Sequence, residues 1–135
     1  MITVYIHGTE ASDADLFCQI GRFALNPKIH TELGNAITSI EGDEWYLYQQ
    51  DGQTIGFANV RIDKQQRWHL RYLYADGTGI KVRDDLIKAV LQQAKKKKAP
   101  LVFTNDRINS GIWKLHGFVP GEQKRGEFVR WEKSL

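Results

Sequence analysis

The sequence predicts an α+β domain built on one mixed central sheet, in the order strand, two helices, three-strand meander, main helix, strand, helix and two closing strands. Three observations carry this. From Glu44 to Tyr74 apolar residues recur at every second position, the period that a pleated backbone imposes. From Lys81 onward Leu86, Ile87, Val90, Leu91 and Ala94 recur at helical spacing and form a single buried stripe. Pro100 ends that helix and a compact apolar segment, Leu101 to Thr104, follows, so the main helix is a crossover between two neighbouring strands.

In chain order, Ile2 to Ile6 reads as the first strand and His7-Gly8-Thr9-Glu10 as the turn that ends it. Ser12 with Asp15 resembles a capping pair, and Leu16, Phe17, Ile20, Phe23 and Ala24 give the stripe of a helix that stops before Asn26-Pro27. Ile29, Leu33 and Ile37 suggest a second helix over 27–40, interrupted by Gly34 and Asn35. Trp45 to Gln49, a tight Asp51-Gly52 turn and Thr54 to Ile62 make a hairpin. Asp63 to Gln66 then links it to a third strand, Arg67 to Tyr74. Strict alternation there places Trp68, Leu70, Tyr72 and Tyr74 on one face and His69, Arg71, Leu73 and Ala75 on the other. Beyond Thr104, Asn109 to His116 reads as a short helix stopped at Gly117, and Phe118 to Pro120 pairs with Phe128 to Lys133 across Lys124-Arg125-Gly126.

A chain of 135 residues with 41% hydrophobic residues fits one domain, 1–135, whose core needs no disulfides. Cys18, the sole cysteine, sits between Phe17 and Ile20 and reads as a buried thiol rather than a nucleophile. With no cysteine pair, no signal-like opening and no bilayer-length apolar run, the expected location is the cytoplasm. A net charge of +3 suits an anionic ligand but does not by itself indicate nucleic acid. Lys95 to Lys98 complement a helix C-terminus, with a grip on nucleic acid or a ribose phosphate as the alternative. Trp45, Trp68, Trp113 and Trp131 fall in strand or helix patterns and are expected in the core; an exposed pair beside basic residues would suggest base stacking. No metal site is expected.

Chemistry concentrates at Ala75-Asp76-Gly77-Thr78-Gly79-Ile80, between the third meander strand and the main helix. Two glycines free this loop to turn sharply and aim successive N–H groups, with the positive end of the helix, at one spot that suits a phosphate.

The element order, this loop and the ending Ile112-Trp113-Lys114-Leu115-His116-Gly117-Phe118 resemble the GNAT N-acyltransferase superfamily over nearly the whole chain, as far as Trp131. The resemblance implies that the strands flanking the main helix splay apart and that acyl-CoA lies in the gap. It implies pantetheine contacts from the main-chain groups of Leu73, Tyr74 and Ala75, and a phosphate cradle from Gly77, Thr78, Gly79, Ile80, Lys81, Val82 and Arg83. Asn105 stands near the start of the last helix, where it either caps that helix or contacts the thioester or thiol.

Two departures qualify the match. Gly77-Thr78-Gly79 comes about two residues early relative to Leu86-Ile87 in the family pattern Arg/Gln-x-x-Gly-x-Gly/Ala, and Tyr74 or Ala75 occupies the usual basic position. Lys81 and Arg83 offer charge from the other side of the loop, whereas Asp84 and Asp85 oppose a diphosphate if they face it. Trp113 stands where many members place a tyrosine that protonates the leaving thiolate. Tyr72, His69 and Ser110 are then the candidates for the proton steps, each with a bland counterpart: core aromatic, structural histidine and helix cap. His116 reads as a helix-end cation. The short length and the departures resemble divergent phage-type members. The implied function is transfer of an acetyl group from acetyl-CoA to a primary amine on a small molecule, protein or nucleic acid. The alternatives are a catalytically silent binding or virion-associated module and a nucleic-acid modifier.

Overall fold

A computed structural model of the chain describes residues 1–34, 36–77 and 79–135, with backbone alone at 10–12 and 123–124. The elements are β1 (Ile2–Ile6), α1 (Glu10–Ala24), α2 (Pro27–Leu33), β2 (Glu44–Gln50), β3 (Gln53–Ile62), β4 (Trp68–Ala75), α3 (Ile80–Lys96), β5 (Leu101–Arg107), α4 (Gly111–Leu115), β6 (Val119–Arg125) and β7 (Phe128–Ser134). They form one seven-stranded sheet in the order β1-β2-β3-β4-β5-β7-β6. Among the described residues only the β4–β5 pairing, spanned by the α3 crossover, is parallel. Among the described residues no helix is long and apolar enough to cross a membrane, and no group of three or more His, Cys, Asp or Glu is placed to hold a metal ion.

The sheet is covered on both sides. Leu86, Ile87, Val90 and Ala94 of α3 pack on Tyr46, Ala58, Val60, Trp68, Leu70 and Val102. Leu16, Ile20 and Phe23 of α1 and Ile29 of α2 pack on Trp45, Leu47, Phe57 and Tyr72. Fully burying one such aliphatic or aromatic side chain contributes about 1.5–3 kcal/mol, so these two layers carry most of the stability. All four tryptophans are buried. Three indole N–H groups donate inside the fold, Trp45 to Ser39 Oγ, Trp113 to Asp106 Oδ2 and Trp131 to the Arg107 carbonyl, so none offers a stacking platform for a base.

Local chemistry explains the boundaries. Asp51 and Gly52 take φ of 52° and 76°, the two left-handed centres of a tight hairpin turn. Asn26 accepts from the Lys28 N–H and Pro27 opens α2, which ends at Leu33 because Gly34 adopts φ 83°. The 27–40 helix is therefore shortened, although Ile37 still packs on the α1/α2 core. Strand β5 runs past Thr104 because β7 pairs with it out to Arg107. The expected Ser12–Asp15 capping contact lies outside the described side chains.

Two expectations fail for geometric reasons. Cys18 is exposed and Phe17 is 43% exposed; the buried stripe is Leu16, Ile20 and Phe23, and at 3.6 residues per turn position 18 falls on the opposite side of α1. The second concerns β4. Register runs Asn59 to Tyr72 and then Val60 to Leu70, leaving Arg71 as an extra residue, a β-bulge. The bulge inverts the alternation. Trp68 and Leu70 face α3, but Tyr72 and Tyr74 face α1 and α2, on the same side as His69 rather than opposite it.

Candidate active site

Strands β4 and β5 pair at Trp68–Val102 and His69–Phe103 and then part. Beyond that point β5 is held by β7 along its whole length, whereas β4 carries the Arg71 bulge and stays with β3. The Asp76 N–H donates to the Ile55 carbonyl at 2.8 Å. Because main-chain direction alternates along an antiparallel strand, Tyr72 and Tyr74 likewise turn their main-chain groups to β3, and Leu73 and Ala75 turn theirs to the gap. Of the three main-chain contacts anticipated for pantetheine, Tyr74 is thus already committed to the sheet.

The gap is a cleft of about 310 Å³ between Arg71 and Leu73 of β4, Arg83 of α3, Thr104 to Asp106 of β5, and Ile112 and Trp113 of α4. On the α2 side lies a wider cleft of about 1080 Å³ that includes Thr38, His69, Tyr72, Arg125 and Arg130. Leu33, Arg71, Asn105 and Phe128 line both, so the clefts meet there. A passage open from two sides suits two reactants that must meet at one carbon.

At the mouth of the narrow cleft the loop enters α3. Gly77 and Gly79 take φ of 63° and 43°, and Gly79 presses so close to β4 that an added Cβ would lie 2.4 Å from that of Ala75. Thr78, part of the expected cradle, lies outside the described residues. Lys81 pairs with Asp85 at 2.7 Å and Lys88 with Asp84 at 3.0 Å, while His116 Nε2 stands 2.6 Å from Asp84 Oδ1. Both acids are engaged by their own partners, which relieves the opposition to a diphosphate read from sequence. Lys88 and His116 hold the Asp84 carboxyl below its ordinary range. Arg83 contacts Glu32 and the Ala75 carbonyl, each at 3.4 Å, and so spans the cleft mouth. Of the expected cradle, Val82 packs its side chain against the α3 core and Ile80 is 74% exposed.

The proton-step candidates are differently placed. The Tyr72 hydroxyl donates to the Ala36 carbonyl at 2.9 Å and contacts the Thr38 N–H and the Arg71 guanidinium, a locked structural position. Ser110 does not cap α4 with its side chain; it donates to Asp106 Oδ2 at 3.2 Å, beside the Trp113 indole at 2.7 Å. His69 stacks on Phe103 with ring centroids 4.4 Å apart. Burial, then the charges of Arg71, Arg130 and Arg61, push its pKa down to about 4, so the ring is neutral at pH 7. Tyr74 donates to Asp76 at 3.2 Å, and burial and that carboxylate raise its pKa. Asn105 lines both clefts, and its side-chain amide has no hydrogen-bond partner among the described residues.

Sequence reasoning missed the residue at the centre. Arg71 Nη1 donates to Asp43 Oδ2 at 3.0 Å and Asn59 Oδ1 at 3.2 Å, and Nη2 donates to Thr38 Oγ1 at 2.7 Å. Asp43 also receives Arg61 at 2.8 and 2.9 Å. Burial would raise the Asp43 carboxyl, but the hydrogen bonds from Arg61 and the Ile40 N–H and the two guanidinium charges hold it below its ordinary value. An arginine amid the apolar positions of a central strand was the available signal; its partner, 28 residues away, was not.

No protein-family model and no curated protein sequence matches the chain. Solved structures do match. An acyl-CoA N-acyltransferase from Pseudomonas aeruginosa superposes with a TM-score of 0.72 at 12% identity, over 99% of both chains. ElaA from Escherichia coli gives 0.69 at 12% identity, again over 99% of both. A protein assigned as a streptothricin acetyltransferase from Bacillus anthracis, solved with acetyl coenzyme A, gives 0.64 at 16% identity over 76% of this chain and 71% of that one. The chain therefore has the GNAT acyltransferase fold.

Proposed function

We propose that the chain is an acetyl-CoA-dependent N-acyltransferase that moves an acetyl group to a primary amine. One observation carries the reading: β4 and β5 part after His69 and Leu73 lines the cleft so formed, with strand alternation turning the main-chain groups of Leu73 and Ala75 away from β3. An extended amide arm satisfies such groups as an added strand would. The amides at the start of α3, the positive end of that helix, Gly77, Gly79, Lys81 and Arg83 form a cradle for its diphosphate. Acetyl-CoA would supply an activated acyl carbonyl there.

The chain's own contribution is placement and polarisation. The Leu73 N–H is positioned to polarise a carbonyl in the gap, and Asn105 stands at the junction of the two clefts as a donor. The wider cleft admits the amine, whose nitrogen bonds to the acyl carbon as the carbon–sulfur bond breaks; the amine loses one proton and the thiolate gains one. Tyr72 and Ser110 hydroxyls are both committed within the fold, and a histidine with a pKa near 4 is a poor base at neutral pH. In this reading the protons exchange with solvent through the open clefts, and proximity supplies most of the acceleration.

A second reading, a catalytically silent GNAT-shaped binding module such as a virion-associated protein, draws support from Trp113, a buried indole bonded to Asp106 where a hydroxyl would serve catalysis. Thermal shift with acetyl-CoA and thiol release on an amine panel separate the two. Ligand at a hundred times its dissociation constant stabilises by about 2.7 kcal/mol. Stabilisation with thiol release supports the enzyme, stabilisation without release supports the module, and no stabilisation removes the cofactor reading.

A further inference from the structure

The wall of the wider cleft is charged in one sense only. Among its described lining residues are Arg71, Arg125 and Arg130, and no aspartate or glutamate. Nearby acids cancel only part of this charge. Asp43 is shared between Arg61 and Arg71, so two guanidiniums meet one carboxylate and a positive charge is left over at the cleft floor. Arg130 Nε lies 2.6 Å from Glu132 Oε1 and its guanidinium carbon sits 3.8 Å over the Phe103 ring, but its two terminal nitrogens have no hydrogen-bond partner among the described residues. Arg125, exposed at the end of β6, unlike Arg130 has no ion pair among them. The remaining wall is neutral at pH 7 and includes Thr38, Tyr72, Asn105, Phe128 and the uncharged His69 ring.

We propose that the acceptor carries, beside its amine, an anionic group, a carboxylate or a phosphate, which Arg125 and Arg130 bind while the Arg71–Arg61–Asp43 cluster supplies excess positive charge from below. Guanidinium forks match the planar or tetrahedral oxygens of such groups. A positively charged wall also draws anions in and disfavours a second ammonium. It favours the uncharged form of the attacking amine as well, because an ammonium beside the same arginines is repelled. Polyamines and aminoglycoside-like polycations are thereby disfavoured, and small amino acids, peptides ending in a free carboxylate and amino phosphates are favoured. The inference rests on the acyltransfer reading for its amine, but the anion site stands on the arginines alone.

The test uses matched probes. The intact, isotope-labelled protein is titrated with glycylglycine against glycylglycinamide and with phosphoethanolamine against ethanolamine, following amide and side-chain NMR signals. Expected are saturable shifts at His69, Tyr72 and Arg130 for at least one probe that carries the anionic group, with its partner lacking that group at least tenfold weaker; which pair responds tells carboxylate from phosphate. The double variant Arg125→Gln, Arg130→Gln should lose that preference, and Arg130→Lys should keep part of it, with the wild-type spectrum elsewhere serving as the folding control. With acetyl-CoA present, any acylation should show the same tenfold ratio in kcat/KM, reduced towards one in the double variant. Equal binding of the partners with and without the anionic group, no shift from either probe that carries it, or a preference for spermidine would overturn the proposal. If acetyl-CoA fails to stabilise the protein while the anionic probes still shift the arginine wall, the acyltransfer reading fails and the anion site survives.

Discussion

Replacing Gly79 by alanine separates steric fit from backbone strain in the loop entering α3. Gly79 and Gly77 both adopt positive φ, 43° and 63°, so alanine at either position carries the left-handed penalty of about 1–2 kcal/mol. Their surroundings differ. A Cβ at Gly77 meets nothing within 4 Å, whereas one at Gly79 falls 2.4 Å from the Ala75 Cβ and 3.2 Å from the Asp76 carbonyl oxygen. Carbon atoms rest about 3.5–4.0 Å apart. Ala75 is fixed by its pairing with β3, so the loop must retreat by roughly 1 Å or more to reach that contact distance. Overpacking of this kind adds about 1–3 kcal/mol. Gly77→Ala should thus lose about 1–2 kcal/mol in urea unfolding and keep its thermal shift with acetyl-CoA. Gly79→Ala should lose on the order of 2–5 kcal/mol, the sum of the two terms, and lose most of that shift, because the amides of the cradle move with the loop. Equal destabilisation by the two variants, or an undiminished acetyl-CoA shift in Gly79→Ala, would refute the reasoning.

Three further outcomes are expected. Asp43→Asn should destabilise by about 3–5 kcal/mol in denaturant unfolding, since it leaves the Arg61 and Arg71 charges without their carboxylate; a loss below about 1 kcal/mol, the range of an exposed pair, would contradict the buried network. The His69 ring should titrate near pH 4 by NMR. Its folded pKa lies below the unfolded value, so the folded state gives up stability as the pH falls from about 6.5 towards 4, on the order of 3 kcal/mol at about 1.36 per unit. His69→Gln should flatten that part of the pH–stability curve, and a ring titrating above 6 would contradict it. Tyr72→Phe should lose about 1–3 kcal/mol of stability by leaving its buried partners unsatisfied, yet lower kcat of any acyl transfer by less than about tenfold, since general acids contribute 10²–10⁴; a hundredfold loss with KM unchanged would restore the phenol as proton donor.

The arrangement of elements was legible because each signal was local. The period-two run, the α3 stripe and the Pro100 stop placed the crossover, and the crossover placed the gap. What escaped depended on counting across strands. Alternation assigns faces only while every residue has a partner, so the one extra residue at Arg71 sent Tyr72 and Tyr74 to the side opposite their predicted one. The Asp43–Arg61–Arg71 cluster joins β2's approach, β3 and β4, and only the folded register brings them together. Arg125 and Arg130 reach the wall near His69 because β7 inserts between β5 and β6, an order that chain sequence does not announce. Lys97 was read with its neighbours as complementing the end of the main helix, but its ammonium also lies 2.8 Å from buried Glu44.

The brevity of the β4–β5 ladder has a mechanical meaning. Two rungs hold a four-strand plate, β1 to β4, to a three-strand plate, β5 to β7, with α3 lashed mainly across the first. A slender molecule threaded between the plates would act as mortar, replacing rungs that the backbone itself cannot form. Occupancy of that seam would then be felt as stiffness throughout the sheet, and hydrogen exchange along β5 would slow far from any atom the guest touches.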